Sequence, residues 1–407
     1  MNKHPLKKSE ILNLLKKISI ENLGNENINL NNGLGRIVSC DIISNINIPP
    51  YDNSAVDGYA IHDKNLKNTK KLKCVYRIPA GNKSFIKLKE GEAARIFTGA
   101  KMPLNSNTVL MQENANIEAN DYISFKKIPQ KGENRRMAGE DILKGTKILK
   151  KGDKIKFNNF NLLAAVGKRK VTVKNKLKVG YFTCGNELVE PSEKLKDSQI
   201  NNSNRYSLQS LLNHNFIKSQ YLGNLKDSLK KISSSINSNL KKFDIIITTG
   251  GASVGEEDHL IDFLKKNGKI FFWKTAIKPG RPLAIGKIKK TIIICFPGNP
   301  VSVHLLFGMI IKPFLEFLSG NKFVLPKKHK AVVDFSMKKK TERLEWIRVV
   351  IENNFNTEIK VKKYPKQGSG MISSLAFSDG IIEIPESVSQ INKGDKFDLF
   401  LFRDLFD

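Results

Sequence analysis

The sequence predicts an α/β multidomain protein, with a central parallel sheet covered by helices, β-rich modules before it and a β domain after it. Three observations carry this expectation. From about residue 173 to residue 318, short apolar runs alternate with amphipathic helical stretches, the pattern of βαβ units. From Lys71 to Asp141, β-like runs are separated by glycine and proline turns. Beyond Pro326, β-type sequence returns and continues to the end. A chain of 407 residues exceeds what one core organises, so several domains are expected.

Residues 9–18 place Ile11, Leu12, Leu14, Leu15 and Ile18 on one side of a helix, with Ser9 as its expected cap. The stretch IVSCDIISNINIPPYDNSAVDGYAI is β-type, broken by Pro49-Pro50 and by a polar loop at residues 52–58. The runs LKCVYRI, AARIFT, TVLMQE and YISFKKI read as strands of a compact mostly-β module that RRMAGEDI closes. Residues 158–166 read as a short helix stopped by Gly167. Next come the strand VGYFTC, helices over 204–215 and 227–240, the strand FDIIITT and a helix over 259–267. Three further apolar runs, KIFFWKTAI, PLAIGKI and TIIICF, lead to a helix over 300–318. AVVDFSM, LEWIRVVI, EIKVKKY and KFDLFLF form the last β domain. The expected domains are 1–45 plus 142–172 (helical and linking), 46–141 (mostly β), 173–322 (α/β) and 323–407 (β).

A formal charge of +30 invites a nucleic-acid reading. The lysines are spread along the whole chain, however, and no helix-turn-helix, RNP or finger pattern accompanies them, so nucleic acid is disfavoured as a partner. No uninterrupted apolar run predicts a membrane span. The N-terminal stretch is basic but lacks a signal-peptide core, and a cytoplasmic location is expected. Cys40, Cys74, Cys184 and Cys295 are scattered, with no ligand-spaced histidine, so they are expected to be reduced and mostly buried.

The stretch FDIIITTGGASVGEED, residues 243–258, organises the chemistry. A buried strand runs into Gly250-Gly251, Ser253 and Gly255, then into Glu256, Glu257 and Asp258. Such a loop at a strand's carboxyl end suits a phosphate, and the carboxylates beside it call for a divalent cation. PGNP, residues 297–300, opens a helix whose N–H groups could face an anion. There Asn299 is the expected cap and Pro300 the first helical residue, with Pro297 and Gly298 completing the turn. Lys274, Lys278 and Arg281 lie around a Pro-Gly turn and add positive charge. Taken singly, Asp258 and Asp227 read as helix caps, Asp57 as a turn residue, and His259 and His304 as structural. Neither a Walker loop nor GxGxxG is present, which disfavours routine ATPase and NAD-dehydrogenase chemistry.

Taken together, PPYDNSAVDGYAI, RIFTGAKMP, RRMAGEDI, FTCGNEL, TTGGASVGEEDH, FWKTAIKPGRP and CFPGNPVSV resemble, in order and over nearly the whole chain, the motifs of the molybdopterin molybdenumtransferase family. Bacterial MoeA and the gephyrin E domain belong to that family. The resemblance implies a molybdopterin-binding-like α/β domain and a β-barrel-like C-terminal domain. It implies insertion of molybdate, a substrate, into adenylylated molybdopterin with release of AMP, assisted by Mg²⁺ in a homodimer. Asp57, Thr98 and Asp141 would then face the nucleotide-phosphate end, Asp57 and Thr98 across the dimer interface. Glu187, Asp227 and Asp258 would surround phosphates and metal. Lys274, Lys278, Pro297, Pro300, Arg348 and Ser369 would form the molybdate pocket. Molybdopterin adenylyltransferase and molybdoenzymes are implied as partners. Two positions depart from the family pattern, Asn186 beside Glu187 and Asn202, each removing negative charge near the expected metal. Asn204 and Arg205 keep the pattern. The alternatives are the preceding adenylylation of molybdopterin and a non-enzymatic, gephyrin-like scaffold.

Overall fold

Residues 4–21, 23–82, 85–251, 259–352 and 358–406 are described by a computed structural model. Six strands build the central sheet: β1 (Leu177–Cys184), β2 (Ile217–Leu225), β3 (Ile245–Thr249), β4 (Lys269–Trp273), β5 (Ala284–Ile288) and β6 (Thr291–Phe296). Their spatial order is β2-β1-β3-β6-β5-β4. The first four in that order are mutually parallel, as expected. The sheet as a whole is mixed, because β5 runs against both β6 and β4. The physical reason is the connection. Only Lys289-Lys290 separates β5 from β6, and so short a link can join strands only as a hairpin.

Ile245, Ile246 and Ile247 of β3 have no exposure, since both faces of the sheet are covered. One face carries α1 (Ser203–Leu211) and α4 (Pro300–Leu306). The other carries α2 (Leu229–Asn237) and α3 (His259–Asn267). Helix α4 continues through a π-type turn, Phe307–Ile311, into Lys312–Leu318. The whole Pro300–Leu318 stretch is long and apolar enough to cross a membrane by length and composition, a possibility the sequence reading missed. Here it is packed inside the fold, where Val303, Phe307, Ile310 and Phe314 join the core beneath the sheet.

Residues on either side of the β module fold back together. Asn25–Asn29 pairs with Lys170–Lys174, and Ile42–Ile43 with Lys147–Leu149. Between them, a second six-stranded sheet is made by Gly58–Ile61, Lys71–Ile78, Glu92–Ile96, Thr108–Met111, Ala115–Ile117 and Tyr122–Phe125. In the C-terminal region, Leu344–Glu352, Ile359–Lys363, His329–Val333, Lys396–Leu401 and Gly380–Ile384 form a sheet that closes on itself as a five-stranded barrel. The short strand Ile277–Lys278 pairs with the start of Leu344–Glu352 and ties the barrel to the central domain.

Several helix starts differ from the sequence reading. The first helix is Lys8–Leu15, and Ser9 lies inside it. The Glu10 carboxylate accepts the Lys7 N–H at 2.7 Å, so the acid in the first turn supplies the cap. Helix α2 begins at Leu229 after Ser228, so Asp227 is not its cap and remains exposed. Among the cysteines, Cys184 and Cys295 are buried and Cys74 is partly covered, but Cys40 is exposed.

Candidate functional site

The carboxyl ends of β1, β3 and β6 meet above the sheet. Gly250 follows β3 with φ of 83°, and its N–H donates to Phe296 O at 3.1 Å. A Cβ at Gly250 would sit 2.5 Å from Cys184 O, so close approach and left-handed backbone both demand glycine. Gly251 follows with φ of 69°. A Cβ at Gly298 would lie 3.7 Å from the Gly250 Cα, which places the PGNP turn against this loop. Ser253, Gly255, Glu256, Glu257 and Asp258 lie outside the described residues.

Beside this loop, β1 ends in Cys184-Gly185-Asn186-Glu187. Glu187 is exposed, and its carboxylate folds back over Gly185, where a Cβ would meet Oε1 at 2.5 Å. The Asp227 N–H reaches Asn186 Oδ1 at 3.4 Å, so the loops after β1 and β2 touch. Glu187 and Asp227 thus present two solvent-facing carboxylates on neighbouring loops. No cluster of three or more His, Cys, Asp or Glu that could hold a metal occurs among the described residues.

Asn202, one of the two departures from the family pattern, is turned into the fold. It is 1% exposed and caps α1, accepting the Arg205 N–H at 3.3 Å. Its Nδ2 donates to Thr183 Oγ1 at 2.9 Å and to the Tyr221 hydroxyl at 3.3 Å. Its polar atoms are therefore used inside the fold. Arg205 stacks on Tyr221 and pairs with Glu190 at 2.5 Å. Asn186, by contrast, is exposed.

A second feature lies between the central domain and the barrel. A cavity of about 270 Å³ is lined by Lys278, Arg281, Pro297, Asn299, Arg348 and Ser369. Asn299 precedes α4, but its side chain makes no capping bond. One N–H of the helix start is already used, because Val301 N–H donates to Ser369 O at 3.1 Å. Lys278 is exposed and ion-paired with Glu345 at 2.8 Å. Arg281 is exposed.

Arg348 is the anchor of this cavity. It is 1% exposed, with Nε on Ser374 Oγ at 3.2 Å, Nη1 on Trp346 O at 3.3 Å and Nη2 on Gly368 O at 3.2 Å. All three partners are neutral. Burial pushes its pKa down to about 10, opposed by the charge of Glu345. Arg348 therefore stays cationic at neutral pH, with only neutral hydrogen-bond partners, and lines the cavity where an anion could reach it.

Lys274 is not part of this lining; its Nζ lies 4.2 Å from the Trp273 ring centre. Pro300 begins α4. Within the β module, Thr98 donates both its N–H and its hydroxyl to Asp57 Oδ1. Those two bonds, with the charge of Arg95, hold the Asp57 carboxyl below its ordinary range. Asp141 is exposed and its N–H donates to Ile48 O at 3.0 Å. Asp57, Thr98 and Asp141 do not line the cavity of Arg348. His304, read as structural, is bonded to Pro300 O at 3.0 Å.

Sequence reasoning missed Glu345, Trp346 and Gln367, which line the same cavity. Their only sequence signal is proximity to Arg348 and Ser369. A larger cavity, about 850 Å³, lies elsewhere, between the 157–165 helix, the 312–318 helix and the helix at residues 402–406, and holds none of the predicted site residues.

Family profiles match three successive stretches of the chain. The profile of the MoeA N-terminal region (domain I and II) matches residues 6–167, and that of the MoeA C-terminal region (domain IV) matches 330–402. Between them, a probable molybdopterin binding domain matches 180–316. A molybdopterin molybdenumtransferase of Haemophilus influenzae is 34% identical over 91% of this chain and 92% of its own. A putative molybdopterin biosynthesis protein of Methanocaldococcus jannaschii is 31% identical over 99% of both chains. The crystal structure of a molybdopterin biosynthesis MoeA protein from Pyrococcus horikoshii superimposes with a TM-score of 0.83, at 31% identity, over 98% of this chain and 100% of its own.

Proposed function

This chain belongs to the MoeA family of molybdopterin molybdenumtransferases, enzymes of molybdenum cofactor biosynthesis, and from that premise we propose how its two site regions divide the work of molybdenum insertion. Molybdate occupies the cavity of Arg348, and adenylylated molybdopterin lies across the Gly250 loop with its phosphates toward Glu187 and Asp227. The observation that supports this most directly is Arg348, a buried cation with only neutral contacts, facing a cavity of about 270 Å³. Molybdate is a tetrahedral dianion, and cations, hydroxyls and amides are the groups that hold one in a desolvated site. Lys278 and Arg281 add charge at the rim, and Ser369 and Asn299 add polar groups.

The donor chemistry beside the Gly250 loop fits magnesium. Glu187 and Asp227 are oxygen donors on touching loops, and a site with one or two protein carboxylates completed by substrate phosphates is usual for this ion. When bound, Mg²⁺ would offset the charge of the phosphates during release of AMP. The protein's own contribution is orientation. The Gly250 backbone allows close approach of the phosphates, while α4 and the barrel loop at Gln367–Ser369 fix the oxyanion cavity.

A homodimer belongs to this proposal, with Asp57, Thr98 and Asp141 of the β module serving the site of the other copy. Within one chain they line no cavity shared with Arg348. A cytoplasmic location is part of the same reading. The adenylyltransferase and scaffold alternatives are not favoured, since matched relatives named for molybdenum transfer extend over nearly the whole chain. The test is AMP release from adenylylated molybdopterin, Mg²⁺ and molybdate, together with activation of a recipient apoenzyme. AMP release that ignores molybdate would overturn the reading.

A further inference from the structure

The PGNP turn lies between the two site regions, and its own residues do little to hold it. Asn299 does not cap α4 with its side chain, and Pro297 and Pro300 have no N–H to donate. Apart from the bonds within α4 at Asn299 O and Pro300 O, the hydrogen bonds that fix the turn come from other elements. Asn204, the second residue of α1, is 6% exposed and donates from Nδ2 to Gly298 O at 2.6 Å. On the other side, the Val301 N–H is bound by Ser369 O at 3.1 Å. The neighbouring Gly368 O accepts Arg348 Nη2 at 3.2 Å. A continuous path of contacts therefore runs from α1 through the turn and the barrel loop to Arg348.

We propose that Asn204 is a positioning residue for molybdenum insertion, holding the PGNP turn so that Pro297 and Asn299 close the wall of the oxyanion cavity against Arg348. This inference rests on the assignment of that cavity to molybdate. Asn204 does not line the cavity itself; its Nδ2 acts on the main-chain carbonyl of Gly298. The other half of its amide shows that packing alone does not explain the residue. Asn204 Oδ1 is buried and has no hydrogen-bond partner among the described residues. An orphaned buried acceptor is unfavourable, and an apolar side chain would fill the space without it. What the amide uniquely supplies is the donor to Gly298.

The position of the turn matters to both site regions but not equally. On the side of Gly250, the Gly250 N–H is held by Phe296 O just before the turn, and even a Cβ added at Gly298 would stay 3.7 Å from the Gly250 Cα. On the cavity side, Pro297 and Asn299 are the lining itself. Loosening the turn therefore degrades the molybdate pocket first.

The test uses the full-length protein with adenylylated molybdopterin and Mg²⁺, following AMP release against molybdate concentration and binding of the adenylylated pterin separately. For Asn204→Ala, the KM for molybdate rises about tenfold, while the pterin Kd stays within about twofold. Asn204→Asp gives a second, distinct readout. An ionised carboxylate beside the Gly298 carbonyl repels it, whereas a protonated one can donate to it. The molybdate KM of this variant therefore falls toward the wild-type value as pH is lowered, giving a profile that wild type lacks. An Asn204→Ala protein with unchanged molybdate KM, or with KM and pterin Kd raised in equal proportion, overturns the positioning role. So does an Asn204→Asp profile parallel to wild type, which remains measurable if the alanine variant does not fold. Molybdate-independent AMP release by wild type would instead remove the functional reading on which the inference rests.

Discussion

Thr98 gives Asp57 two hydrogen bonds at once: its N–H reaches Asp57 Oδ1 at 2.8 Å and its hydroxyl reaches the same oxygen at 2.7 Å. One carboxylate oxygen takes both donors. The two donors and the charge of Arg95 hold the carboxyl below its ordinary range. Replacing Thr98 by Val removes the hydroxyl and keeps the N–H. The Asp57 pKa then rises toward the ordinary carboxylate value of about 3.9. The sign follows from linkage. A depressed carboxyl pKa stabilises the fold above the unfolded value and loses that contribution as pH falls through the folded one, so the variant differs from wild type at mildly acidic pH and above. Side-chain NMR titration of Asp57 checks this, and an unmoved pKa in Thr98→Val would contradict it.

Arg348 should control molybdate use more than pterin use. Arg348→Met removes the cation but keeps a long apolar side chain. The expected result is a molybdate KM at least about tenfold higher with pterin binding little changed. Since the burial of Arg348 is uncompensated by any carboxylate in contact, the melting temperature should not drop by the amount a broken buried ion pair would cause. Equal loss of molybdate and pterin affinity would place Arg348 outside the oxyanion pocket.

The same group sets an alkaline limit. Anion binding needs the protonated guanidinium, whose pKa is lowered to about 10 by burial. Molybdate affinity is therefore present below that value and lost as pH rises through it. Calorimetric titration of molybdate across the alkaline range would show a larger loss in wild type than in Arg348→Met, which retains only the rim cations.

Glu187 and Asp227 should act together on magnesium. Changing either to its amide raises the Mg²⁺ concentration needed for half-maximal AMP release by about tenfold, with the molybdate KM less affected. Asn186→Asp, which adds a carboxylate on the same loop, shifts that concentration the other way. Magnesium dependence identical in all three variants would argue against a metal at these loops.

Gly250 is set by sterics rather than by ligand chemistry alone. An added Cβ meets Cys184 O at 2.5 Å, on a backbone with φ of 83°. Gly250→Ala should lower unfolding stability by at least about 1 kcal/mol and abolish turnover. Urea unfolding is the measurement, and a neutral substitution would show that the loop relaxes freely.

Much of the fold was legible because its signals are local. The isoleucines of β3, the 259–267 helix and the Pro-Asn-Gly turns are marked by apolar runs and by residues with restricted or permissive backbones. Local sequence did not reveal that β5 opposes β6, since strand direction depends on how a two-residue link folds back. Nor did it show that Asn202 turns inward. An asparagine ahead of a helix looks the same whether its amide faces a metal or, as here, Thr183 and Tyr221.

By itself, the sequence determined the family, the domain classes and the residue types available for holding phosphate, metal and oxyanion. Those depend on short motifs whose spacing survives in one dimension. Only the tertiary structure decided which of these residues share a space. Lys278, Pro297 and Arg348 come from three separate stretches of the chain, yet they line one cavity because the strand Ile277–Lys278 pairs with the barrel strand that carries Arg348. Lys274, only four positions from Lys278, is turned onto Trp273 instead. Burial decided the rest. It placed a guanidinium among neutral dipoles, where an anion becomes its best partner, and no local pattern of residues encodes that environment.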